Sequence, residues 1–322
     1  MAKQRNGSVD EALRSVASAV TYESAGRWRF SLVNGQALPA EARVSSGWLE
    51  LTAPIPECEL RVPSYDDLFG LRINTRLDGS IRIARHFGER HPHVRADACI
   101  DQVPDLVEWV QTACARLTDA VHDVAAWRDV LPPRSVETGA AIAPHTRADV
   151  GRACSETGWR ATNEEGSSLR VEIPTRAGMY TARVESSAVA DRFVVELADL
   201  AGQPEVCRRA VAAMLAAVAG SVRLVKGGLV DRDDAAVAAL LSPIEGSLDR
   251  SVDTALSVMA VACQVSGREV QALLDEHLGS EYLALSGAAY EEPPAGPLCG
   301  TRPTGSPATG SHTAKEEQPC LQ

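Results

Sequence analysis

The chain runs twice through the same pattern, and this internal repeat limits the fold more than any other feature. Trp28-Arg29-Phe30-Ser31-Leu32 alternates apolar and polar residues as a half-buried strand does, and Leu169-Arg170-Val171-Glu172-Ile173 repeats the alternation. Ala42-Arg43-Val44-Ser45-Ser46 matches Ala182-Arg183-Val184-Glu185-Ser186. Each is followed by another strand-like segment, Trp48-Leu49-Glu50-Leu51 in the first copy and Val194-Val195-Glu196-Leu197 in the second. Leu106, Val110, Ala113, Cys114, Leu117 and Val121 form a helical stripe that falls on Leu248, Val252, Ala255, Leu256, Met259 and Cys263. Three matches in one order, at offsets of 140 to 142 residues, point to a duplicated unit rather than chance alignment of common residues.

The remaining elements fit around these anchors. The first copy opens on a helix with the capping box Ser8-x-x-Glu11 and the stripe Val9, Ala12, Leu13, Val16, Val20; the second opens at Thr146-x-x-Asp149 and stops at Gly158. A helix from Pro204 to about Ala219, with Gly220 just past its end, follows the strands of the second copy, and Pro63 to Phe69 is its shorter counterpart. Two extended segments and a long helix complete each copy. The predicted fold is α+β: two similar domains, each an antiparallel sheet packed with helices in the order α-β-β-β-α-β-β-α. The first covers 1–131 and is abbreviated, and the second covers 146–285. Pro132, Pro133, Gly139 and Pro144 mark a linker over 132–145, and the Gly, Pro, Ser and Thr of 286–322 predict a disordered tail.

At 322 residues, 45% apolar and 23% charged, the chain is long and apolar enough for two buried cores. The first twenty residues lack the apolar run of a secretory signal and no segment is long and uncharged enough to span a bilayer, so a cytoplasmic protein is expected. A net charge of -11 opposes nucleic acid and acidic membranes and favours a basic partner surface. The eight cysteines contain no Cys-x-x-Cys pair and read as buried thiols.

No phosphate-binding loop, dinucleotide fingerprint or nucleophile elbow is present, which removes the motif-based enzyme readings; no catalytic residue and no cofactor are predicted. His86, His91 and His93 could share a metal ion, with Glu89 and Asp97 near them. However, Arg85, Arg90 and Arg95 would place that ion among positive charges, so no metal is predicted. Leu71, Ile73, Thr75, Ile81 and Ile83 all carry odd numbers around Asp78-Gly79, which predicts a hairpin with a three-residue loop and Gly79 in or beside the left-handed position. Its other face would carry Arg72, Asn74, Arg76 and Arg82, a solvated stripe able to dock carboxylates. Trp127 and Trp159 lie near element ends, where an aromatic can anchor a partner. Arg72, Arg76, Arg82, Trp127 and Trp159 are therefore the candidate partner-binding residues.

This order of elements, carried by the segments quoted above, resembles the class I type III secretion chaperone fold and the related YbjN-like domains. The resemblance implies a small acidic non-enzyme that pairs with a second copy of itself and holds an extended peptide. Two fused copies would form a covalent version of that dimer, the linker raising the effective concentration of one half for the other. The functional expectation is a non-catalytic protein-binding module, either a monomeric pseudo-dimer or a homo-oligomer. The alternatives are a metal-assisted enzyme built on His86, His91 and His93, and an oligomeric scaffold pairing through a Ser247 to Cys263 helix and a capped Ser266-x-x-Glu269 helix.

Overall fold

Alternating strands that bury one face need helices to cover it, and both halves of the chain meet that need in the same way. The computed structural model describes residues 2–24, 26–34, 36–55, 63–77, 79–89, 91–126, 145–163, 169–186, 191–232, 235–245 and 247–287. Nearly all of the expected linker and tail, and Trp127, lie outside these residues. The first half runs α1 (Ala2–Val16), β1 (Ser18–Ser24), β2 (Arg27–Asn34), β3 (Gln36–Ser45), β4 (Trp48–Pro54), α2 (Pro63–Asn74), β5 (Arg82–Ala84), β6 (His93–Cys99) and α3 (Leu106–Ala126). The second runs α4 (Arg147–Glu156), β7 (Ala161–Asn163), β8 (Leu169–Pro174), β9 (Met179–Ser186), β10 (Asp191–Asp199), α5 (Glu205–Ser221), β11 (Lys226–Arg232), β12 (Ala235–Ile244) and α6 (Leu248–Ala272), with α7 (Glu276–Leu285) appended.

The fold class is the predicted one, with one more strand per half than expected. The antiparallel sheets have the orders β1-β2-β3-β4-β6-β5 and β7-β8-β9-β10-β12-β11, so every strand has a topological counterpart. All three repeated segments land on counterparts: β2 with β8, β3 with β9, and α3 with α6. In β4 the period-two burial is direct, with Leu49, Leu51 and Ala53 inward and Trp48, Glu50 and Thr52 outward. Those inward residues join Trp28, Phe30 and Leu32 of β2 under α1 and α3; Val171, Ile173, Phe193 and Val195 do the same under α4 and α6.

The two halves form one compact body and meet through their own counterparts. α2 packs on α5; α2 also packs on β11 of the other sheet, and α5 on β5. This is the reciprocity of a two-fold interface, realised within one chain. Leu71 of α2 enters the second core while Ile73 enters the first. Asn74, at the end of α2, donates to the carbonyls of Ile83 and Gly227, each at 2.9 Å, and accepts from the Ile83 N–H at 2.6 Å. One buried amide thus ties the inner edges of the two sheets.

Several local expectations are corrected. α1 begins at Ala2, so Ser8 lies inside the helix rather than at its N-terminal cap, and Val20 belongs to β1. The Thr146 box is present: its hydroxyl accepts from Asp149 N–H and the Asp149 carboxylate accepts from Thr146 N–H. Residues 248–272 form a single helix, and the Ser266 hydroxyl donates to the Ala262 carbonyl at 2.7 Å rather than capping a second one. α7 is capped by Asp275 instead. Ser286, expected in the tail, is buried.

The largest correction concerns the hairpin at 71–83. Its first strand is the end of α2, and only β5 remains extended. The helix buries Asp67, Gly70, Leu71 and Asn74, spaced i, i+3, i+4 and i+7, but three of these four are not apolar, so the helical period carries no hydrophobic signal. Gly79 does take the left-handed conformation, with φ +53°.

Gly220, in the last turn of α5, lets the helix touch the strand end of the other half: a Cβ there would lie 2.4 Å from the Arg85 carbonyl oxygen. Gly→Ala inside a helix ordinarily stabilises by up to about 1 kcal/mol. Gly220→Ala is predicted to do the opposite, destabilising the chain by about 1–3 kcal/mol through overpacking, measured as a lower midpoint in urea at unchanged m-value.

Candidate functional site

Opposite its apolar face, the first sheet presents a face whose central rows are charged and polar. The register places Arg29, Glu41, Thr52, Arg95 and Arg82 in one cross-strand row and Arg27, Arg43, Glu50 and Asp97 in the next. On β6 the alternation is strict, with His93, Arg95 and Asp97 on this face and Val94, Ala96 and Ala98 on the other.

One end of this face is covered by the C-terminus of α5, whose last carbonyls have no partner within the helix. Arg82 Nε donates to the Ala219 carbonyl at 2.9 Å, Arg95 donates to the Gly220 carbonyl, and the Leu224 N–H donates to Asp97 at 2.9 Å. Asp97 pairs with Arg82 and, at 2.8 Å, with Arg95, which also reaches Glu50 at 2.9 Å. Two guanidinium groups at a helix C-terminus suit the sign of its dipole. The arrangement is mirrored across the interface. Beyond the end of α2, Arg192 of β10 donates to the Thr75 carbonyl at 2.8 Å and the Lys226 ammonium of β11 to the Leu77 carbonyl at 2.7 Å. Each sheet supplies cations to carbonyls at, or just after, the end of the middle helix of the other half.

The other end of the polar face is open. It forms a groove of ≈ 530 Å³ floored by Arg29, Glu41, Arg43 and Thr52 and walled by His86, Glu89 and His93. The His86 and His93 rings are 4.9 Å apart between centroids, and Glu89 Oε2 lies 3.9 Å from His93 Nδ1. Burial, reinforced by His86, Arg95 and Arg82, lowers the His93 pKa to about 3, so the ring is neutral. The histidine set weighed as an alternative from sequence is changed: Glu89 clusters with His86 and His93, and His91 takes no part in the cluster.

Of the five residues expected as a partner surface, Trp127 lies outside the described residues and the other four do not share one strand face. Arg72 is exposed on α2 and Arg76 follows the helix, so the arginine stripe of a strand does not exist. Arg82 is wholly buried in the ion network and has no surface to offer. Trp159 packs against the second core with its indole N–H on Asp253 of α6 at 3.1 Å. The charged ladder was visible in the strands as regular polar alternation, but its closure against α5 joins residues more than a hundred positions apart.

Burial pushes the thiols of Cys114 and Cys263 up to about 12 and that of Cys154 to about 11, which keeps these three protonated and unreactive at neutral pH. Among the described residues no helix is long and apolar enough to cross a membrane. No protein-family model, curated protein or solved structure matches the chain.

Burial raises the Asp97 pKa, but Arg82 and Arg95 outweigh it and hold the carboxyl below its ordinary value of 3.8. The stability it contributes is therefore complete above that value and lost as pH falls through the depressed one. Asp97→Asn leaves two buried guanidinium groups without their shared carboxylate. It is predicted to cost about 3–5 kcal/mol at pH 7, and less below pH 3.8 than at neutrality, as read from denaturant midpoints across pH.

Proposed function

We propose that this chain is a non-catalytic binding protein that holds an extended segment of another polypeptide along the free edge of β1. The supporting observation is the unequal treatment of the four sheet edges. The inner edges, β5 and β11, are bridged by Asn74 and covered by α2 and α5. Of the outer edges, β7 has three residues, whereas β1 has seven and is exposed along almost its whole length. A long exposed edge offers backbone donors and acceptors to an added strand. Tyr22 stands there 49% exposed, its ring set edge-on against Trp28 at 5.4 Å, an aromatic anchor beside the backbone ladder.

The net charge of -11 favours a partner segment bearing Lys or Arg and disfavours nucleic acid. The buried charges of the ion network are engaged in joining the halves, which supports a binding body rather than a catalyst. The same reading follows from the resemblance to secretion chaperones and YbjN-like domains, with the two halves standing in for their dimer. On this reading the protein works in the cytoplasm as a single-chain pseudo-dimer.

The test is to recover the partner by affinity capture, map its contact segment by cross-linking, and study that segment as a synthetic peptide. Bound peptide is expected to slow amide exchange across Ser18–Ser24, and Tyr22→Lys to weaken binding tenfold or more without lowering the melting temperature. Protection confined to other surfaces, or an affinity indifferent to Tyr22→Lys, would overturn the reading.

A further inference from the structure

The connection between β5 and β6 folds back on itself. Ala84 and His93 are paired across the two strands, so His86, two residues past the pair, is returned beside His93. A turn closes between them, with Glu89 N–H donating to the His86 carbonyl at 3.0 Å. Arg85 fixes this turn from behind: it donates to the carbonyls of Glu89 at 3.0 Å and Ser286 at 3.2 Å while pairing with Asp67 at 2.8 Å. One ligand atom from each of His86, Glu89 and His93 lies within 4.8 Å of the others. His93 Nε2 is buried without a hydrogen-bond partner, a state that a ligand at this ring would relieve.

Of the three arginines behind the sequence objection, Arg85 and Arg95 are paired in the folded chain and Arg90 lies outside the described residues. Arg85 is matched by Asp67, and Arg82 and Arg95 are matched by Asp97 and Glu50. Around the cluster these buried charges are paired, and the exposed Glu89 carboxylate stands at the groove wall.

We propose that His86, Glu89 and His93 form a binding site for a divalent transition cation of the zinc class, with a fourth coordination position open to the groove. Two imidazoles and one carboxylate suit zinc and its neighbours and are a poor set for calcium or magnesium, which take oxygen ligands. Ligand atoms around a tetrahedral zinc stand about 3.3 Å apart, so the cluster must tighten on binding. Glu89, with its side chain 53% exposed, has room to move in.

The site is independent of the peptide-binding reading, and the chain alone tests it. Untagged full-length protein, stripped with chelator, is titrated with Zn²⁺ against a chromophoric competitor and with Co²⁺ followed by its visible d–d absorption. One equivalent per chain is expected, with the intense spectrum of a four-coordinate cobalt, unaffected by excess Mg²⁺. Glu89→Gln and His93→Ala should each weaken Zn²⁺ tenfold or more, and His91→Gln should stay within twofold of the parent. Because Glu89 is exposed, its variant keeps the test valid if His93→Ala fails to fold. Absence of a saturable equivalent, indifference to Glu89→Gln, or an equal loss in His91→Gln would overturn the assignment.

Discussion

The exchange of helix caps between the halves is the interaction on which the rest of the structure depends. α5 ends against Arg82 and Arg95 of the first sheet, and α2 ends toward Arg192 and Lys226 of the second. Burying so many charges carries a desolvation cost of several kcal/mol per ion, recovered only where geometry and additional hydrogen bonds are good. Here Arg82 divides its donors among Ala219, Ser80 and Asp97, and Asp97 accepts from two arginines and a backbone N–H. Burial holds the Arg82 pKa down at about 10, still charged at neutrality. Such a network adds specificity more than net stability: a slipped arrangement of the two halves would leave these ions without partners.

This joint also divides the polar face of the first sheet into two environments. Under α5 the charges are dry and fully matched, whereas beyond the helix the same rows of residues face a groove. His93 sits at the boundary, on the strand that carries Arg95 and Asp97 but next to the turn that carries His86 and Glu89. Its neutral ring follows from that position, since burial and two nearby guanidinium groups both oppose a proton.

What could be read from the sequence was whatever is local and periodic. The alternation of Trp28 to Leu32, the stripe from Leu106 to Val121 and the Thr146 capping box each declare themselves within one element, and the repeat multiplied their weight. The end of α2, from Leu71 on, was read as a strand because the buried stripe of the helix is Asp67, Gly70, Leu71 and Asn74. An acid, a glycine and an amide are inside only because Arg85, Ile83 and the two sheet edges meet them there. The candidate metal-ligating trio was partly legible: His86 and His93 were named, but choosing Glu89 over His91 needed the turn that sets its carboxylate beside His93. The partner residues were the least legible, since an arginine on a strand looks the same in sequence whether it meets water or the end of a helix.

Shared capping also has a consequence for synthesis on the ribosome. Leu77 and the Lys226 that caps it are 149 residues apart. At about 5–20 residues per second, the first half waits roughly 7–30 s for that cation to be made. During this interval α2 has no α5 to lie on, Leu71 has no second core to enter, and the carbonyls at its end face water. The nascent first half is therefore an open intermediate, and the window in which it is most exposed to aggregation, or to a chaperone, is set by the length of chain between the two copies.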